Sequence, residues 1–125
     1  MTQARRRTGQ IAEDLVAARL AAAGWQIVER NARTRYGELD LIALDGEILV
    51  FVEVKAARAG TRFGPEKPIL SIDFTKQRRV RRLGTAWLAE HRQFPRFDDI
   101  RFDAIGVVLD RADRAVDYEH IKGAF

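Results

Sequence analysis

The chain has 125 residues, 46% of them hydrophobic, and its 22 lysines and arginines against 18 aspartates and glutamates give a formal net charge of +4. That length suits one core and one domain over 1–125, and the absence of cysteine excludes disulfides and thiolate chemistry. His91 and His120 stand too far apart in sequence to suggest a histidine-rich zinc site. The longest aliphatic and aromatic run, residues 48–52, falls far short of a membrane span, and no signal-peptide apolar region follows the basic start, so a cytoplasmic protein without membrane association is expected.

Arg5, Arg6 and Arg7 give residues 1–8 the character of a flexible basic arm. Residues 9–23 carry Ile11, Leu15, Ala18 and Ala22 on one helical stripe and end before Gly24, which predicts the first helix. A strand over 25–30 follows, linked through 31–36 to two apolar, partly β-branched runs, 39–44 and 48–54. Asp45-Gly46 between them signals a two-residue hairpin turn. With Asp45 and Gly46 as the loop, Leu44 faces Glu47, Asp40 faces Phe51 and Glu38 faces Glu53. Alternation then gathers Glu38, Asp40, Phe51, Glu53 and Lys55 on one face, with Asp40 diagonal to Glu53. Leu39, Leu41, Ala43, Ile48, Val50, Val52 and Val54 form the opposite face, which must be buried.

Residues 56–68, with Gly60, Gly64, Pro65 and Pro68, read as a long loop beside Lys55, able to cover a substrate or simply to be disordered. A second helix over 74–91 has Val80, Leu83 and Trp87 as its buried stripe, with Lys76 in the middle of that stripe near the N-terminal end. Two readings of Lys76 stay open: it points toward the sheet and a bound phosphate, or it snorkels past the core edge to water. Lys76, Arg78, Arg79, Arg81 and Arg82 crowd this helix, and clustered cations neutralise phosphates. Nucleic acid is therefore the natural partner, with Lys76, Arg78, Arg79 and Arg82 as candidate contacts, Arg78 and Arg82 on the outward face. A solvated arginine-rich face is the plainer alternative. Strands over 101–109 and 116–121 end the chain, with His91 at a helix end and His120 in the last strand.

Carboxylates crowded on one sheet face repel, and burial raises the cost, so Glu38, Asp40 and Glu53 need compensation. Lys55 supplies part of it. A hard divalent cation, Mg²⁺ or Mn²⁺, would supply the rest, and such an ion beside a lysine can hydrolyse a phosphodiester without histidine or cysteine. The competing reading is that Glu53-x-Lys55 is a solvated surface pair.

Asp40 followed by Glu53-x-Lys55 resembles the signature of the PD-(D/E)XK nuclease superfamily, which includes restriction endonucleases and archaeal Holliday junction resolvases. Leu39 stands where the superfamily pattern has proline. Gly9-x-x-x-Glu13, Gly37-Glu38-Leu39-Asp40, Phe51-Val52-Glu53-Val54-Lys55, Arg101-Phe102-Asp103 and the closing His120-Ile121-Lys122-Gly123-Ala124-Phe125 together resemble the YraN family of small bacterial proteins. This resemblance implies an α/β fold of the restriction-endonuclease-like αβββαβ type, a mixed central sheet flanked by helices. It also implies a metal-dependent nuclease acting on DNA, branched DNA included, with Mg²⁺ or Mn²⁺ held by Glu13, Asp40 and Glu53, and catalysis by Asp40, Glu53 and Lys55. It says little about Glu38, read as part of the turn into the strand, or Asp103. Symmetric cutting of both strands would favour a homodimer. Two rivals remain: a nucleic-acid-binding module that keeps the nuclease fold without turnover, and an interaction protein whose basic helix docks an acidic partner.

Overall fold

Helix α1 (Gln3–Ala22) precedes strands β1 (Gln26–Thr34), β2 (Gly37–Asp45) and β3 (Ile48–Arg58). A short 3-10 helix (Pro68–Ser71), helix α2 (Phe74–Glu90) and strands β4 (Asp99–Leu109) and β5 (Ala115–Ile121) complete the order. The structure is a computed structural model that describes residues 2–60, 67–93 and 96–125. Its five strands form one sheet in the order β1-β2-β3-β4-β5. Only β3 and β4 pair in parallel, and the 3-10 helix and α2 lie in the connection between them, as a parallel pair requires. This is the αβββαβ arrangement expected from the sequence, with a mixed sheet.

The two helices cover the two faces. Ala12, Val16, Ala17 and Leu20 of α1 pack with Leu41, Ala43, Val50, Val52, Ile105, Val107 and Leu109. Val80, Leu83 and Trp87 of α2 pack with Ile42, Leu44, Leu49 and Phe51. The α2 stripe is the expected one. It sits close to the sheet because residue 84 is glycine: a Cβ there would lie 3.0 Å from the Phe102 ring and 3.3 Å from Phe51.

Several expectations are corrected. Residues 3–8 are helical and not a flexible arm, because Thr2 caps α1 by accepting from the Arg5 N–H at 3.2 Å, and Arg5, Arg6 and Arg7 ride its first turns. The buried stripe of α1 is rotated: Val16 and Leu20 are inside while Ala18 and Ala22 are exposed, since the larger side chains gain more from burial. Strand β1 continues through Asn31 to Thr34, and β3 continues through 56–58, which are strand and not loop. Residues 61–66 of the expected loop lie outside the described residues.

The hairpin register also differs. Asp45 pairs with Ile48 and Leu41 with Val52, so Gly46 and Glu47 are the loop residues. Gly46 takes φ 60, the conformation a tight hairpin demands at its first central position and that glycine adopts without cost. The pairing has moved by two positions relative to expectation, so every side chain keeps its face. One further step of this register sets Asp40 across from Glu53 rather than diagonal to it. Leu39 is the exception on the apolar side: it packs with Ala32 in the α2-side cluster. The alternation changes at the level of Asn31, a positive-φ residue lying between the pairs Arg30↔Leu41 and Ala32↔Leu39.

Candidate functional site

The ladder between β2 and β3 ends at Leu41↔Val52, and beyond it the strands are joined by a side chain. The Val54 N–H donates to Asp40 Oδ2 at 2.9 Å, so the carboxylate of β2 occupies the place where the backbone pairing stops. Glu53 and Lys55 follow on β3, with Lys55 Nζ 3.4 Å from Glu53 Oε1. Helix α2 roofs this end of the sheet. Glu38, Asp40, Glu53, Lys55, Lys76 and Arg79 line a cleft of about 180 Å³ whose apolar wall is Val80 and Leu83. Glu38, Asp40, Glu53 and Lys55, the four charged residues of the five expected on one face, are therefore together, and Lys76 lines the same cleft from the helix, half-buried.

Charge is unevenly balanced in this cleft. Asp40 is pushed up to about 8, first by burial and then by Glu53, against the single backbone hydrogen bond from Val54. Glu13 of α1 is not among the residues that line the cleft. Burial raises its carboxyl too, with Arg30 opposing the rise and Glu38, Asp14 and Glu53 adding to it. Arg30 itself is bound to Asp14. Three carboxylates thus feel one another, and one lysine touches one of them.

Among the described residues, no three histidine, aspartate or glutamate side chains stand close enough to form a ready metal cage. The donors present are nevertheless the hard oxygen ligands that Mg²⁺ and Mn²⁺ take, and Mg²⁺ is commonly held by one or two carboxylates with water completing the shell. Burial with unbalanced negative charge is what a divalent cation relieves. The residues fit the ion by chemistry.

The remaining candidates divide. Arg79 belongs to the cleft, and its guanidinium lies over Gly37, where a Cβ would be 3.2 Å from its nitrogen. Arg78 stacks on Phe74 at 5.8 Å and Arg82 on Tyr36 at 4.1 Å, so neither lines the cleft, although both are exposed.

A second carboxylate site lies at Asp103, to which the sequence motifs assign no role. Among the described residues, Asp103 is the one charged side chain buried outright. It accepts from Arg101 Nε at 2.8 Å and Nη2 at 3.0 Å, from His120 Nε2 at 2.8 Å and from the Gly123 N–H at 3.0 Å. Burial pushes its carboxyl up, but the bonds from His120, Arg101 and Gly123 outweigh that and hold it below the usual range. Arg101 also reaches Asp45 at 3.0 Å and lies over Trp25 at 5.4 Å. The signal available in sequence was Arg101-x-Asp103 on one face of an apolar strand, since an aspartate there must be paired.

Comparison with known sequences agrees with the extent of these features. The profile of the uncharacterised protein family UPF0102 matches residues 12–107, which include Glu13, Asp40, Glu53, Lys55, the α2 cations and Asp103. A UPF0102 protein of Moorella thermoacetica is 45% identical over 125 residues, covering 100% of both chains. One from Nocardia farcinica is 46% identical over 117 residues, covering 94% of this chain and 87% of its own. One from Dictyoglomus turgidum is 35% identical over 117 residues, covering 94% and 95%. No helix among the described residues is long and apolar enough to cross a membrane. With the profile spanning most of the chain and relatives matching it nearly end to end, the protein belongs to the UPF0102 family.

Proposed function

We propose that this protein is a metal-dependent nuclease that hydrolyses phosphodiester bonds in DNA, branched DNA included, and that its kinship lies with the PD-(D/E)XK nucleases. The observation that carries the reading is the cleft in which Asp40 and Glu53 meet across the β2–β3 opening, under Lys76 and Arg79 and beside Lys55. A cleft with carboxylates on its floor and cations on its roof suits a phosphodiester: the cations hold the phosphate oxygens, and the carboxylates hold what the phosphate alone would repel.

Glu13, Asp40 and Glu53 would hold Mg²⁺ or Mn²⁺, which supplies phosphoryl polarisation and water of lowered pKa. The chain's own residues do the rest. Val54 fixes the Asp40 carboxylate through its N–H, Glu53 keeps Lys55 at the cleft, and Lys55 orients the attacking water and offsets negative charge as it develops. Lys76 and Arg79 bind non-reacting phosphate oxygens, which positions the strand without reading its sequence. Symmetric cutting of a duplex would require a two-fold dimer.

The rival with support of its own is a binding module without turnover, favoured by the lack of a ready three-ligand cage among the described residues. One experiment separates them: cleavage of labelled linear, single-stranded and four-way-junction DNA with Mg²⁺ or Mn²⁺, wild type beside Glu53→Ala and Lys55→Ala. The nuclease reading expects metal-dependent cleavage that falls at least about 100-fold in both variants. Salt-sensitive DNA binding with no cleavage in any metal would replace it with the binding module.

A further inference from the structure

Beside the cleft lies a larger cavity that the proposed chemistry does not use. It measures about 590 Å³ and is lined by Arg35 and Tyr36 and, from α2, by Arg82, Thr85, Ala86, Ala89 and Glu90. Arg35 and Tyr36 are the two loop residues between Thr34 and Gly37, which pair with each other. Thr34 Oγ1 locks this turn, donating to the Gly37 carbonyl at 2.9 Å and accepting from the Tyr36 N–H at 3.1 Å. Tyr36 is 48% exposed despite its size. The Arg82 guanidinium lies 4.1 Å from its ring centroid and that of Arg35 5.5 Å.

Groove and cleft are neighbours by construction. Both are roofed by α2, where Arg79 and Leu83 serve the cleft and Arg82 and Ala86 the groove. Gly37, against which Arg79 and Leu83 pack, directly follows the Tyr36 turn, so the turn adjoins both. A strand bound with a phosphate under Lys76 and Arg79 can bring a neighbouring nucleotide to Tyr36.

The lining indicates what that residue is. Arginines alone would suit another phosphate, but a ring held in a rigid turn, two planar guanidiniums and a pair of alanines suit a flat, partly apolar group that also tolerates positive charge. A nucleobase is such a group: bases stack on aromatic rings and on guanidinium planes, and Glu90 can accept from a base amino group. A base inside a duplex has both faces covered by its neighbours, so only an unpaired one can enter.

Resting on the nuclease-type reading of the adjacent cleft, we infer that the Arg35–Tyr36–Arg82 groove stacks an unpaired nucleobase of a DNA strand whose phosphate lies in the cleft. The substrates selected are then strands with an unpaired nucleotide beside the bound phosphate.

The test measures binding in EDTA, so that cleavage plays no part: a labelled single-stranded DNA and its duplex are titrated with the full chain, as wild type, Tyr36→Ala and Tyr36→Phe. The expected result is a loss of about 5- to 100-fold for the single strand with Tyr36→Ala, retention with Tyr36→Phe, and duplex affinity unchanged. Equal loss on both DNAs, or no loss on either, overturns the subsite. Because variants can disturb the turn, wild-type protein is also photocrosslinked to a single strand carrying one halogenated uracil and the adduct mapped. An adduct at Tyr36 is expected, and adducts only elsewhere overturn the proposal. Tyr36-dependent binding without any cleavage in metal would remove the nuclease reading and leave the subsite. Cleavage with Tyr36→Ala as with wild type on every DNA, single-stranded included, would do the reverse.

Discussion

Asp40 and Asp103 are both withdrawn from solvent in the same sheet, and they are treated in opposite ways. Asp103 receives two bonds from Arg101, one from His120 and one from the Gly123 backbone, and its carboxyl is held below the usual range. Asp40 receives one backbone bond, faces Glu53, and is pushed up to about 8. A carboxylate whose oxygens are saturated by the protein has nothing left to offer a ligand, and its task is structural. One left short of donors still has oxygens to offer. The Asp103 cluster ties β4 to β5 and to the chain end, where Ala124 N–H bonds the Phe102 carbonyl at 2.8 Å. The Asp40 cleft holds open a gap between two strands.

The strongest test of this contrast is Asp103→Ala. It leaves the Arg101 fork, His120 and the Gly123 N–H without their common acceptor in a buried place, with Arg101 retaining only Asp45. Removing one side of a buried ion pair costs about 3–5 kcal/mol, and with Asp45 still present the expected loss is about 3 kcal/mol, read as the midpoint shift in urea denaturation. A loss under about 1 kcal/mol would mean that the network is solvated and the contrast overstated.

Asp40→Asn should act with the opposite sign. In the metal-free protein the folded state keeps the Asp40 proton up to about pH 8, whereas the unfolded chain releases it near the ordinary aspartate value of 3.8. A group whose folded pKa is raised loses stabilising effect as pH climbs from its unfolded to its folded value, so wild type weakens across that window. Asparagine does not titrate and can still accept from Val54. The variant should therefore equal wild type near pH 4 and exceed it increasingly above that, by as much as about 4 kcal/mol at pH 7, measured as thermal stability in chelator. A variant less stable than wild type at neutral pH would show that Asp40 is ionised and satisfied in the fold.

The sequence made the cleft legible and the Asp103 network illegible for physical reasons. Glu38, Asp40, Glu53 and Lys55 could be grouped because side-chain parity along a strand survives a register error of two positions, which is the error that Asp45-Gly46 invited. Val80, Leu83 and Trp87 were readable because a helix with one buried face repeats its apolar residues regardless of its partner. His120 and Gly123 meet Asp103 only because β5 returns beside β4, a contact without a local pattern. Tyr36 falls within the 31–36 link expected from the sequence, yet β1 runs on to Thr34, with Asn31 taking its positive φ inside the strand, so the turn is confined to Arg35 and Tyr36. The helical period sets Arg82 on the outward face, but its ring partner Tyr36 comes from another element and leaves no local pattern.

The smallest effect expected on the fold is also the most diagnostic. Lys55→Met removes the cation that touches Glu53 at 3.4 Å, but the two side chains keep 29% and 16% exposure, so water remains available to the glutamate. Partly exposed pairs of this kind are worth under about 1 kcal/mol, and the methionine stem replaces the apolar packing of the lysine, so stability should change by no more than about 0.5 kcal/mol. On the proposed nuclease reading, cleavage in metal should nevertheless fall at least about 100-fold, because that reading puts the same charge where negative charge would develop on the phosphoryl group. A variant that lost stability and activity in proportion would assign Lys55 to the architecture, on the Asp103 side of the comparison. One that lost activity alone keeps it with Asp40.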